Sequence, residues 1–92
     1  MTADMNIGQV VEAMKQGYKC TRHGWNGKNM FVYYVPSAKY PSKGNKLGTM
    51  DGLFKDDLVP YQAYIAMKTA DNTVVPWLCS QSDLLATDWE VM

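Results

Sequence analysis

Net charge is what this 92-residue chain lacks. Nine Lys and Arg offset nine Asp and Glu, so the basic excess of a general DNA or RNA binder is missing and no nucleic-acid partner is expected. No apolar run is long enough to cross a bilayer, and no membrane partner is expected. The N-terminus has no basic segment leading into a hydrophobic one, so no signal peptide is expected and the chain is placed in the cytosol. Cysteine is scarce. Cys20 and Cys79 are the only two, and in that compartment they are expected as reduced, buried thiols. Two Cys and one His without ligand spacing give no metal site. A Gly-rich phosphate loop of standard spacing is also missing. The single His, His23, lies beside a turn glycine with no identifiable carboxylate partner, which makes it a structural group or a hydrogen-bond donor rather than a catalyst. No cofactor and no catalytic residue are expected.

What is present fits one domain, residues 1–92. A chain of this size buries only about 60–65 % of its unfolded surface, so association with further copies is a reasonable way to extend the core. The charges are divided along the sequence. Between Ala13 and Met50 there is no acid but there are seven cations, whereas from Asp51 onward there are seven acids and only Lys55 and Lys68. Such a division gives either one face that attracts anions or two halves that complement each other in the fold or across an oligomer. The densest stretch is Arg22-His23-Gly24-Trp25-Asn26-Gly27-Lys28. Asn26-Gly27 is a tight-turn signal, because both residues tolerate positive φ. Trp25 beside such a turn, flanked by Arg22, His23 and Lys28, is a plausible surface for something flat and anionic. Equally, it is a hairpin whose Trp covers the edge of the core.

The remaining pattern predicts an α+β fold: an N-terminal helix, an antiparallel sheet of about four or five short strands, and a short C-terminal helix. Ile7, Val10, Val11 and Met14 make one apolar stripe and predict a helix over 6–16. Asn6 is its N-cap, Gln9 its capping-box partner and Gly17 its stop. Residues 1–5 read as a loose terminus. Strands are predicted at 18–22 and 30–35; the second is apolar on both faces, so it is central or meets a partner subunit. Residues 36–58 read as a long loop, either a lid or binding loop or partly disordered. One strand region is predicted over 60–68, a turn at Asp71-Asn72, and a strand over 73–78 that Pro76 confines to an edge or bulge. Ser80 then caps a short helix with Asp83 as capping-box partner, and a brief strand over 88–92 puts Trp89 and Val91 on one face.

The eleven aromatics (three Trp, six Tyr, two Phe) lie near Lys, Arg, Asn and Gln. That mixture suits a nucleotide, whose base stacks on aromatic faces while its phosphates meet cations. Aromatic strands also build cores, so composition alone stops at a binding or assembly domain. Two separated motifs go further. Gly24-Trp25-Asn26-Gly27-Lys28 with Met30-Phe31, and the block from Met67-Lys68-Thr69-Ala70-Asp71 through Val75-Pro76-Trp77-Leu78 to Ser80-Gln81-Ser82-Asp83-Leu84-Leu85-Ala86-Thr87-Asp88-Trp89-Glu90, resemble the second type of Thoeris anti-defence proteins. These are small phage and prophage proteins, formerly a domain of unknown function. The resemblance covers nearly the whole chain and is weakest over 37–58. It implies a sponge and not an enzyme: a protein that sequesters cyclic ADP-ribose isomers made by TIR-domain sensors, and in some members cyclic dinucleotides, in the host cell cytosol. It also implies homotetramers with ligand pockets at protomer interfaces. By position it carries Trp25 and Asn26 over as pocket residues, with Ser80, Gln81 and Asp83 as weaker candidates. Asn29 and Asn72 stand where the family commonly has glycine, and both tolerate turns. The alternatives in other classes are a small nucleotide-acting hydrolase or transferase, and a phage protein that binds a host protein.

Overall fold

The structure, a computed structural model, describes residues 3–25, 28–42 and 47–92. Helix α1 (Ile7–Lys15) begins at the expected cap. The Asn6 side chain accepts from the Gln9 amide at 2.9 Å, and the Gln9 side chain accepts from the Asn6 amide at 2.9 Å. Two of the helix's otherwise unpaired N-terminal donors are satisfied in this way. Gly17, at φ +102°, follows the C-cap and turns the chain toward the sheet. The apolar stripe faces the sheet, with Val10 and Met14 fully buried and Ile7 and Val11 partly so.

Five antiparallel strands follow in the spatial order β6-β5-β2-β1-β7. They are β1 (Cys20–Arg22), β2 (Phe31–Val35), β5 (Tyr64–Lys68), β6 (Val74–Pro76) and β7 (Trp89–Val91). The doubly apolar β2 is central, and Pro76 lies on an edge strand where a missing N–H costs nothing. A short helix, α2 (Gln81–Leu85), precedes β7. Cys20, Val32 and Trp89 join Val10 and Met14 in a core between α1 and one sheet face. Cross-strand pairing sends Phe31, Tyr33, Lys68 and Val74 to the other face, which no helix among the described residues covers.

Three expectations change. Residues 36–58 are not one long loop: β3 (Ala38–Pro41) pairs antiparallel with β4 (Leu58–Tyr61) in a separate two-stranded arm, and a 3₁₀ turn covers Lys55–Asp57. The strand expected over 60–68 is accordingly two strands in two sheets, broken at Gln62-Ala63. The terminus is also not loose up to Met5. Met5 is buried and pairs with Trp89 through backbone hydrogen bonds of 2.9 and 3.2 Å. Asn29 and Asn72 do adopt positive φ, 62° and 71°, as residues standing in for glycine must.

The arm stretches the molecule to 47 × 25 × 22 Å, and the radius of gyration is 16.2 Å against roughly 12 Å for a compact chain of this length. The accessible surface of 6696 Å² exceeds by about 1,300 Å² what a compact monomer of 10.4 kDa exposes.

Candidate functional site

The corner where β1 ends, α2 begins and β7 starts gathers several of the residues singled out by the sequence. Pairing of β1 with β7 sets Arg22 opposite Trp89. From there the Arg22 guanidinium reaches two carboxylates. Its Nε donates to Asp88 Oδ1 at 2.8 Å and its Nη1 to Asp83 Oδ1 at 2.8 Å, with a looser Nη2 contact of 3.5 Å to Asp88 Oδ2. Asp83 Oδ1 accepts a second bond, from the Trp25 indole Nε1 at 2.9 Å. The Asp83 backbone carbonyl takes the Trp89 indole N–H at 3.0 Å. One residue of α2 therefore holds two tryptophans, one through its side chain and one through its backbone.

Trp25, Trp77 and Trp89 are the chain's three tryptophans, and they cluster. Trp89 is fully buried and makes T-shaped contacts with Trp25 and Trp77, at 5.1 and 5.8 Å between ring centroids. This edge-to-face geometry matches the aromatic quadrupoles and adds about 0.5–1.5 kcal/mol per pair beyond area burial. Trp25 is thus anchored both by its T-shaped contact with Trp89 and through its N–H, and it is half-buried. Asp88 Oδ2 also accepts from the Gly24 amide at 2.8 Å. A Cβ at Gly24 would lie 2.8 Å from that same oxygen, so the turn needs glycine to let the carboxylate approach.

Electrostatics follow from this geometry. Burial pushes the Asp83 carboxyl up, but bonds from Trp25, Arg22 and Ser80 together outweigh it and hold the group below the usual range. The Arg22 contact holds Asp88 down, helped by the Gly24 amide. Those two carboxylates in turn push the Arg22 guanidinium up. The corner carries one cation and two anions, so it does not by itself attract phosphate.

Of the residues expected at the site, Arg22, Trp25, Ser80 and Asp83 come together. Ser80 does cap α2, accepting from the Asp83 amide at 3.1 Å. Asp83, however, uses its carboxylate on Arg22 and Trp25 and not as a capping-box partner. His23, Lys28 and Gln81 are exposed, and among the described residues their side chains take no part in the network, although the His23 backbone amide donates to the Asp88 carbonyl at 3.1 Å. Asn26, with the Asn26-Gly27 turn, lies outside the described residues. Asp88 is a further member of the network that is absent from the residues expected at the site. Its signal is that Arg22 is the only arginine in the chain and needs acids from the other half. Among the described residues no group of His, Cys, Asp and Glu could hold a metal ion.

Residues 5–92 match the Tad2-like family, described as the Thoeris anti-defense 2-like domain. The chain belongs to this family. It is also 38 % identical to Thoeris anti-defense 2 from Bacillus phage SP01, over all of this chain and 99 % of that protein. The match spans the arm as well as the Trp25 turn and the α2 corner. Membership in the Thoeris anti-defense 2-like family supports a phage anti-defence role, and the Arg22–Asp83–Trp25 corner is where its two sequence motifs meet in the fold.

Proposed function

We propose that this protein counters Thoeris defence as a sponge: it binds a cyclic ADP-ribose-type signal, holds it and does not cleave it. The observation that carries this reading is the family match across residues 5–92, which includes both motifs. The chemistry of the corner favours a binder over a hydrolase. Asp83 and Asp88, the acids nearest Trp25, are both engaged by Arg22 and held at low pKa. A general base works best with a pKa near the operating pH, and an ion-paired carboxylate is far from that. In this reading Trp25 offers its exposed part for stacking, Asn26, His23, Lys28 and Gln81 supply polar contacts around it, and Arg22, Ser80 and Asp83 hold it in place.

The sponge works as a homo-oligomer, a tetramer by family resemblance, in the host cytosol. The extra 1,300 Å² or so of exposed surface supports this, since a standard interface takes about 800 Å² from each partner. The test is recovery. Protein is loaded with cyclic ADP-ribose isomers, freed of unbound ligand by gel filtration and heated; the released ligand is then weighed by mass spectrometry. Intact ligand at near-stoichiometric yield is expected. A hydrolysed product formed in proportion to time would instead establish an enzyme, and no retained ligand would remove the sponge.

A further inference from the structure

Trp25, the stacking surface proposed above, is set in place by two carboxylates that do different work. Asp83 holds the ring, through the indole N–H at 2.9 Å. Asp88 holds the backbone that leads to the ring, and all three residues before Trp25 are tied to it. Arg22 donates from Nε to Asp88 Oδ1 at 2.8 Å, the His23 amide to the Asp88 carbonyl at 3.1 Å, and the Gly24 amide to Asp88 Oδ2 at 2.8 Å. The turn then closes, with the Trp25 amide donating to the Arg22 carbonyl at 3.2 Å. Arg22 also joins the two carboxylates. Its planar fork serves Asp88 with Nε and Asp83 with Nη1 at once, which the point charge of a lysine does not do in one fixed geometry. A shift of Asp88 therefore reaches Trp25 by two routes, along the backbone through Gly24 and across the guanidinium through Asp83.

Gly24 meets the same carboxylate from the other side. Its φ lies outside the left-handed region, so the backbone itself does not demand glycine there. A Cβ would instead stand 2.8 Å from Asp88 Oδ2 and 3.4 Å from Arg22 Nη2. Gly24→Ala thus pushes the Asp88 carboxylate away without removing any charge.

We infer that Asp88 is a positioning residue for ligand binding: it fixes the Arg22–Trp25 turn and, through Arg22 and Asp83, the orientation of the Trp25 ring. The inference rests on the reading of Trp25 as the stacking surface and adds the residue that aims it. A ring already held in its binding orientation receives a base without the ordering cost that a loose side chain would incur.

Gly24→Ala, Asp88→Ala and the two together test this in the full chain. The probe is whichever cyclic ADP-ribose isomer the unaltered protein retains. Two quantities are read: the affinity, and the NMR resonance of the Trp25 indole N–H, assigned by its loss in Trp25→Phe. Each single change is expected to move that resonance and to weaken binding by roughly fivefold or more, part of what one stacked base contributes. The double variant should bind no worse than Asp88→Ala alone, because the added Cβ then meets no carboxylate. Asp88→Asn keeps one acceptor oxygen and should recover part of the affinity. A role confined to stability would lower the urea midpoint but leave the indole resonance and the affinity of the folded protein unchanged, and that result would overturn the inference. Losses that simply add in the double variant would overturn it too. Amide resonances of β5, which pairs with neither β1 nor β7, report whether each variant keeps its sheet; if Asp88→Ala does not, Gly24→Ala and Asp88→Asn decide. Those adverse results remove the role of Asp88 and leave the sponge reading standing. An unaltered protein that retains no isomer would overturn both.

Discussion

Asp83→Ala is the substitution that most directly probes the α2 corner. The Asp83 and Arg22 side chains are only 13 % and 19 % exposed. Removing the carboxylate takes one of the two acids from Arg22 and leaves the Trp25 indole N–H without its acceptor. Both bonds end on the charged carboxylate, and each such bond contributes about 1.5–3 kcal/mol. Arg22 keeps Asp88, and water reaches part of the opened site, so the lower end of the sum applies, about 3 kcal/mol. For a chain of this size that is a fall in Tm of roughly 12–24 °C. Asp83→Asn keeps an oxygen for Trp25 but loses the charge, and should cost about half as much. Ser80→Ala removes only the cap, about 1 kcal/mol. Urea melts at one fixed protein concentration measure all three, because association would otherwise shift the midpoints. A loss below about 0.5 kcal/mol for Asp83→Ala, the range of an ordinary surface change, refutes the claim that this carboxylate holds the corner together.

The same carboxylates set the acid limit. Asp83 and Asp88 have folded pKa values below the ordinary value, so their contribution is present above the unfolded pKa of about 3.9 and is lost as pH falls through the folded values. The urea midpoint should hold from pH 7 to about 5 and drop below about 4, less steeply in Asp83→Asn; equal slopes would contradict this. Cys20 is fully buried and Cys79 half-buried, and burial pushes both thiols up. A thiol reagent should therefore modify Cys79 first and Cys20 only on unfolding, while a native mass two hydrogens low without oxidant would mean a disulfide. Asn72→Val should lose about 1–2 kcal/mol because of the positive φ, and Asn72→Gly should not; indistinguishable melts would refute this. Light scattering at micromolar concentration should give a homo-oligomer, and a monomer mass would remove the interface argument.

Local signals were the legible ones. The Asn6–Gln9 capping box, the Gly17 stop, β2 and the Ser80 cap each depend on residues within a few positions of one another, and each forms as the sequence implies. The arm was not legible. Ala38–Pro41 meets Leu58–Tyr61 across residues 42–57, and neither segment alternates clearly, because Pro41 and Pro60 interrupt both. Alternation over 61–67 is real, but a period of two does not record which sheet each residue joins; hence one predicted strand became two. Met5 reads as loose because nothing near it in sequence holds it, and its partner, Trp89, lies at the opposite end of the chain.

Asp83 shows most plainly where local reading stops. Ser80-Gln81-Ser82-Asp83 has the capping-box spacing, and a neutral backbone amide is the partner that spacing offers. In the fold, β1 brings a guanidinium and the turn after it an indole N–H to the same oxygen at 2.8 and 2.9 Å, and in a half-buried corner the full positive charge of Arg22 attracts the carboxylate more strongly than a neutral backbone amide can. The local partner therefore gives way to the distant one. The same competition explains the division of charge along the chain. Arg22, from the acid-free half, is matched by Asp83 and Asp88 from the acid-rich half, so at this corner the two halves complement each other. Lys19 and Lys68 have no such match among the described residues. The charge that builds this corner, Arg22 with Asp83 and Asp88, is therefore separate from the charge of Lys19 and Lys68, which the fold leaves without a carboxylate among the described residues.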